Sequence, residues 1–167
     1  MSAPLLEVAD LRVTFTAGAL EVKAVDGISY HIGRGETLAV LGESGSGKSV
    51  QASAVMGILD TPPARIESGR VLFDGRDLLT MDLDARRDIA GRRIAMIFQD
   101  TLAHLNPVYR VGWQIAEGLR AHGVDGERAR AEAKRLLGRV RIPQAARRLD
   151  DYPHQFSGGQ RQRIGIA

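Results

Sequence analysis

Leu11, Val13 and Phe15 alternate with polar neighbours in the first stretch of the chain, and Ile28, Tyr30 and Ile32 repeat the pattern further on. A period of two places such side chains on one face of a strand, so two half-buried strands are expected from Leu5 onward, joined through the Ala17-Gly18 turn region. Ser68 to Phe73 reads as a third short strand closed by the Asp74-Gly75 turn, and the three together predict an antiparallel sheet. Two other runs lack alternation. Thr37 to Leu41 (TLAVL) and Ile94 to Phe98 (IAMIF) are nearly continuous apolar runs, the pattern of strands buried on both faces of a parallel sheet. A helix over Val50 to Leu59 is expected after the first, and the second stops at the polar pair Gln99-Asp100. Ligands of open α/β sheets collect beyond the carboxyl ends of the strands, where both the segment after Leu41 and Gln99 would lie.

Past Gln99 the period changes from two to about 3.6. Val111, Ile115 and Leu119 are spaced by four, and Ala129, Ala133, Leu136, Leu137 and Val140 mark one face of a helix running from about Gly126, which Pro143 is expected to end. This block of about fifty residues has no strand signal and is large enough to be a helical subdomain.

Composition narrows the picture. A chain of 167 residues is of single-domain size and can bury a sizeable core. Arg161 to Ala167 read as the opening turns of a helix with no stop signal, so the domain is expected to be incomplete at its C-terminus. Cysteine is absent, which excludes disulfides and thiolate metal sites and suits a reducing cytosol. Acidic residues stand where a signal peptide needs its apolar core, and no apolar run approaches a membrane span, so the chain reads as soluble. The net charge is +3, but only Lys23, Lys48 and Lys134 are lysines and the arginines are interleaved with acids. A GC-rich coding sequence accounts for that composition more simply than a nucleic-acid surface does, and no nucleic-acid partner is expected. His31, His104, His122 and His154 have no metal-ligand spacing and read as structural or exposed.

The candidate chemistry lies in two stretches. Gly42-Glu43-Ser44-Gly45-Ser46-Gly47-Lys48-Ser49 fills every position of the phosphate-binding pattern G-x-x-x-x-G-K-[ST], between an apolar run and an expected helix. Its glycines let successive N–H groups point into one concavity, and the helix that follows adds its positive end to the same spot. Lys48 would reach the β and γ phosphates of a nucleotide, and the Ser49 hydroxyl would ligate Mg²⁺. In the second stretch Ser157 and Gln160 form a capping-box pattern around Gly158 and Gly159. That pattern reads either as a plain capped helix start or as a second anion site.

A complete phosphate loop, a glutamine closing an apolar run, a helical insert and then F-S-G-G-Q-R-Q-R, in this order, resemble the ATP-binding-cassette (ABC) ATPases, whose signature is L-S-G-G-Q. Lys48 and Gln99 are 51 positions apart, and Gln99 and Ser157 are 58 apart. The resemblance spans nearly the whole chain and implies an α/β phosphate-loop NTPase core with an antiparallel β subdomain and an inserted α-helical subdomain. On it, residues 1–99 would be the β subdomain and phosphate-loop core, 100–156 the helical subdomain, and 157–167 the signature and the start of its helix. Phe15, 33 positions before Lys48, would be the aromatic that stacks on adenine, although the same residue also reads as the inward member of an alternating strand. Gln99 would touch Mg²⁺ or the attacking water and sense the permease. Ser157, Gly158, Gly159 and Gln160 match the signature, which would contact the γ-phosphate held by the other subunit of a head-to-tail dimer. Phe156 replaces the usual leucine. Val50 stands where many members carry a hydroxyl residue, leaving only its N–H for the phosphates.

The runs GESGSGKSV, IFQD…LNPV…VGWQIAE and YPHQFSGGQRQRIGIA are similar to the oligopeptide, dipeptide and nickel importer ATPases, with Thr101 and His104 departing from common residues. That implies an ATP- and Mg²⁺-dependent ATPase subunit lying peripherally on the cytoplasmic face of the membrane. Its partners would be a second ATPase subunit, two membrane permease subunits and an extracytoplasmic solute-binding protein. The aspartate and glutamate of the Walker B strand and the switch histidine that the family carries after the signature are not in these residues, so the piece alone is expected not to hydrolyse ATP. Two other readings stay open: a non-hydrolysing fragment, and a soluble ABC ATPase acting on DNA or ribosomes. For the latter, the 58-position spacing leaves no room for the usual zinc module or coiled coil.

Overall fold

In the computed structural model of the chain, which describes residues 3–98 and 105–167, the first alternating stretch folds as a hairpin. Strand β1 (Leu6–Ala17) pairs antiparallel with β2 (Leu20–Ile32) across Gly18-Ala19. β3 (Ala64–Phe73) pairs with the other edge of β1, and the short β4 (Arg76–Asp77) closes the order β2-β1-β3-β4. Leu11 and Val13 are fully buried on one face, as the alternation predicts, and Phe15 is half-buried. Val8 is buried too, although it stands three residues before Leu11. The register slips between Val8 and Leu11, where Asp10 takes φ 47°, and this bulge returns both valine and leucine to the same face.

The two runs expected as buried parallel strands are not strands here. Thr37 to Leu41 is irregular and exposed, with Leu41 90% accessible, and in Ile94 to Phe98 Ile97 is 62% accessible. A strand exists only in a ladder, and among the described residues neither segment enters one, Ile94 making no more than an isolated bridge. What forms in this region is the antiparallel sheet and the helices around it.

Helix α1 (Lys48–Met56) begins two residues earlier than expected and stops at Gly57, which takes φ 72°. Ile58 N–H reaches back to the Ser53 carbonyl, a Schellman-type end that turns the chain before Leu59. Asp82 caps the short α2 (Leu83–Ile89) by accepting from Ala85 N–H at 2.8 Å.

The described residues divide into two units, Met1–Ala90 and Gly91–Ala167. The second is all helical: α3 (Val111–Ala121), α4 (Gly126–Arg139), α5 (Ala145–Arg148), a 3₁₀ turn at Pro153–Gln155, and α6 (Gly158–Ile166). Of the expected face of α4, Ala129, Ala133 and Leu137 are completely buried against Val111, Ile142, Leu149, Phe156 and Ile164, whereas Leu136 and Val140 are half-buried. Helix α4 ends at Arg139, before Pro143, because Val140 caps it and Arg141 turns into the left-handed region at φ 58°. Among the described residues no helix is long and apolar enough to cross a membrane.

Candidate functional site

The loop Gly42–Gly47 runs into α1 with no protective cap. Gly47 is the N-cap residue at φ 84° and ψ 2°, has no side chain to offer, and no acidic residue lies in the first turn. The first N–H groups of any helix lack intrahelical acceptors, so this end presents bare donors and the positive end of the helix dipole. Only glycine fits at position 47: a Cβ there would lie 2.1 Å from the Ala24 carbonyl oxygen on β2. The close approach seats the loop on the sheet and fixes the direction in which α1 leaves it.

Lys48 folds back over the loop. Its ammonium donates to the carbonyls of Gly42 (2.7 Å) and Glu43 (2.5 Å) and to Ser46 Oγ (3.2 Å). The cation therefore stands above the concavity that the glycines form, held by neutral acceptors that a phosphate oxygen can replace with a stronger charge-assisted partner. Ser49 is exposed in the first turn, and Val50 is half-buried behind it. Bare N–H donors, one lysine and an exposed hydroxyl form a donor set suited to a polyphosphate carrying a hard, oxygen-seeking cation such as Mg²⁺.

A cavity of about 480 Å³ opens beside the loop, lined among others by Asp26, Tyr30, Leu41, Gly42, Lys48 and Gln51. Burial holds the Tyr30 phenol above its ordinary pKa, so it stays neutral there. Phe15 does not line this cavity. It pairs across the sheet with Val22, two residues before the Ala24 that Gly47 touches, and with Ala64 on the other side. Gln99 lies outside the described residues.

Ser157, Gly158, Gly159 and Gln160 belong to the helical unit. The capping box is formed: Ser157 Oγ accepts from Gln160 N–H at 3.3 Å, and Gln160 Oε1 accepts from Ser157 N–H at 3.0 Å. Gly158 and Gly159 are exposed, and a Cβ on either would meet nothing within 4 Å. Both glycines face open space at a helix start.

Three supporting residues escaped the reading of the sequence. Gln51, in α1, is buried with its Oε1 unpartnered. Arg86 donates to the carbonyls of Ala54 (3.1 Å) and Val55 (3.4 Å) at the far end of α1, and burial lowers its pKa. Arg148 clamps the segment before Ser157, donating to Asp151 Oδ2 (2.8 Å) and the Gln155 carbonyl (2.7 Å) while its guanidinium lies 4.0 Å from the centre of the buried Phe156 ring. A polar residue inside an expected helix was the signal for Gln51. The two arginines carried none, because their partners are set by tertiary folding.

The family model described as ABC transporter matches residues 25–167. The oligopeptide transport ATP-binding protein OppD of Bacillus subtilis (strain 168) is 44% identical over 164 residues, which cover 98% of this chain and 46% of that protein. The dipeptide transport ATP-binding protein DppD of Haemophilus influenzae is 46% identical over 164 residues, covering 98% of this chain and 49% of its own. Among solved structures, the ATP-binding cassette MJ0796, a dimer in a post-hydrolysis state bound to ADP and Pi, matches with a TM-score of 0.78 at 25% identity, over 96% of this chain and 67% of that one. The chain spans about half the length of the curated relatives it matches.

Proposed function

The chain belongs to the ABC transporter family, and from that premise we propose that it is part of the ATP-binding, ATP-hydrolysing subunit that powers a membrane importer of peptides. The phosphate loop carries this reading: a helix start without a cap, seated on β2 by Gly47 and covered by Lys48. Relatives named for oligopeptide and dipeptide transport supply the peptide class.

In this account the N–H groups from Gly42 to Val50 cradle the phosphates of ATP, with Glu43, Ser44, Gly45 and Ser46 contributing backbone and Lys48 placing its charge on the outer phosphates. Ser49, with Gln99, would hold Mg²⁺, which neutralises the phosphate charge that builds up during transfer. Phe15 offers a flat face to adenine. Ser157, Gly158 and Gly159, oriented by the Gln160 bond to Ser157 N–H, close on the nucleotide of a second subunit, as the dimeric state of the ADP-bound cassette suggests. Two permease subunits and an extracytoplasmic solute-binding protein complete the assembly, with this subunit peripheral on the cytoplasmic face.

The test uses the full-length protein reconstituted with its partners. Lys48→Ala should weaken MgATP binding and abolish turnover. Ser157→Arg leaves the loop intact, so it should bind MgATP normally and lose turnover and peptide uptake, because the cation fills the space of the opposing γ-phosphate. Normal hydrolysis by Ser157→Arg with a lowered melting temperature would reduce Ser157 to a helix cap, worth about 1 kcal/mol.

A further inference from the structure

The charge of the chain is unevenly spread. Residues 91–167 carry fourteen arginines and lysines against seven acids, a net of +7, whereas residues 1–90 net −4. Several of these cations are already paired: Arg128 with Asp125, Arg130 with Asp150, Arg135 with Glu132 and Arg148 with Asp151. Lys134, Arg139, Arg141 and Arg147 form no ion pair among the described residues, and all four are exposed. Arg139 also complements the negative end of the α4 dipole, and Arg147 lies in the last turn of the four-residue α5, which leaves Lys134 and Arg141 without an internal role and Arg147 without an ion pair.

Lys134 and Arg147 flank a groove of about 660 Å³ between α4 and α5. From α4 it is lined by Ala131, Lys134, Arg135 and Gly138, whose i, i+3, i+4, i+7 spacing is one stripe of the helix, and from α5 by Ala145 and Ala146 as well as Arg147. The stripe is distinct from the buried one of Ala129, Ala133 and Leu137. Gly138 sharpens the point. A Cβ at Gly138 would meet nothing within 4 Å, so packing within the chain does not require glycine, yet glycine in a helix costs about 1 kcal/mol relative to alanine. Its missing side chain keeps the floor of the groove low.

We propose that this groove is a docking site for an acidic segment of a partner protein, whose carboxylates pair with Lys134 and Arg147 while its small apolar side chains rest on Ala131, Gly138, Ala145 and Ala146. A membrane surface fits less well, since interfacial elements set bulky Trp, Phe or Leu side chains between their cations and this lining has none. A nucleic acid fits less well because no aromatic ring lines the groove for stacking. The site stands on its own charge and shape and does not depend on nucleotide binding.

The experiment measures fluorescence anisotropy of a labelled Glu-Ala repeat peptide with the full-length protein, beside a labelled duplex DNA and vesicles of phosphatidylcholine with phosphatidylglycerol. Peptide binding should be saturable and weaken with added salt. Lys134→Glu with Arg147→Glu should weaken it at least about tenfold while MgATP binding stays unchanged. Gly138→Phe should block it by filling the groove with no charge removed, whereas Gly138→Ala should raise the melting temperature and retain binding. Absence of peptide binding overturns the proposal, as does Gly138→Phe binding at full strength. Tighter binding of the vesicles or of the DNA also overturns it and assigns the cations to that surface instead.

Discussion

Gly47 and Gly45 both take positive φ, 84° and 82°, but only one of them is enclosed. Alanine at 45 would point into open space, so Gly45→Ala should cost only the left-handed penalty of about 1–2 kcal/mol. Alanine at 47 adds a contact of 2.1 Å with the Ala24 backbone, which cannot swing aside as a side chain can. Gly47→Ala in the full-length protein should therefore lower the melting temperature clearly further than Gly45→Ala and also eliminate MgATP binding. Equal effects of the two, read by calorimetry and nucleotide titration, would contradict the seating of the loop on β2. The backbone of the Gly42–Ser49 loop was legible in the sequence because its pattern is the constraint: glycines at positive φ, then lysine and serine opening a helix. Gln51, Arg86 and Arg148 were not, because each is defined by a partner that the fold brings to it.

Helix α1 is held at both ends, by Gly47 on the sheet and by Arg86 on the last carbonyls. Losing a cation at a helix C-terminus costs about 0.3–1 kcal/mol, so Arg86→Ala should lower thermal stability by that order, with Arg86→Lys restoring part of it. An unchanged melting curve would mean that the arginine is only a passenger. In the helical unit Asp150 joins α3 to α4: hydrogen bonding from Arg130 foremost, then from Arg110, holds its carboxyl below the ordinary range. A depressed folded pKa adds stability above the unfolded value of about 3.9 and loses it as pH falls through the folded value. Asp150→Asn should thus melt lower than the wild type at neutral pH, and the gap should close in acid; a gap independent of pH would contradict the ion-pair account. At this scale the alternating strands and the amphipathic α4 were legible, since one buried face writes a period into the chain. The runs Thr37 to Leu41 and Ile94 to Phe98 were misread as formed strands because apolarity records what a segment can bury against, and the ladder itself needs a neighbour.

Those two runs leave large apolar side chains exposed, Leu41 in the first unit and Ile97 in the second above all, while each unit buries a core of its own. Residues 1–167 expressed alone should bind a hydrophobic dye and unfold over a broad range; a sharp, reversible transition without dye binding would show that the runs find cover within these residues. The family was legible from the Gly42–Ser49 pattern, the helical periodicity and the F-S-G-G-Q run, and the family match over residues 25–167 agrees with it. How the runs are paired was not, because pairing partners leave no mark on the segment that needs them. The central claim is that the Gly42–Ser49 loop recognises the phosphate chain of a nucleotide, and calorimetric titration of the full-length protein with MgATP and with AMP tests it most directly. MgATP should bind at least about a hundredfold tighter than AMP, and Lys48→Ala should erase most of that difference, because the outer phosphates are what Lys48 and the bare helix end hold. Equal affinity for ATP and AMP, or a Lys48→Ala variant that keeps the full preference for ATP, would contradict it.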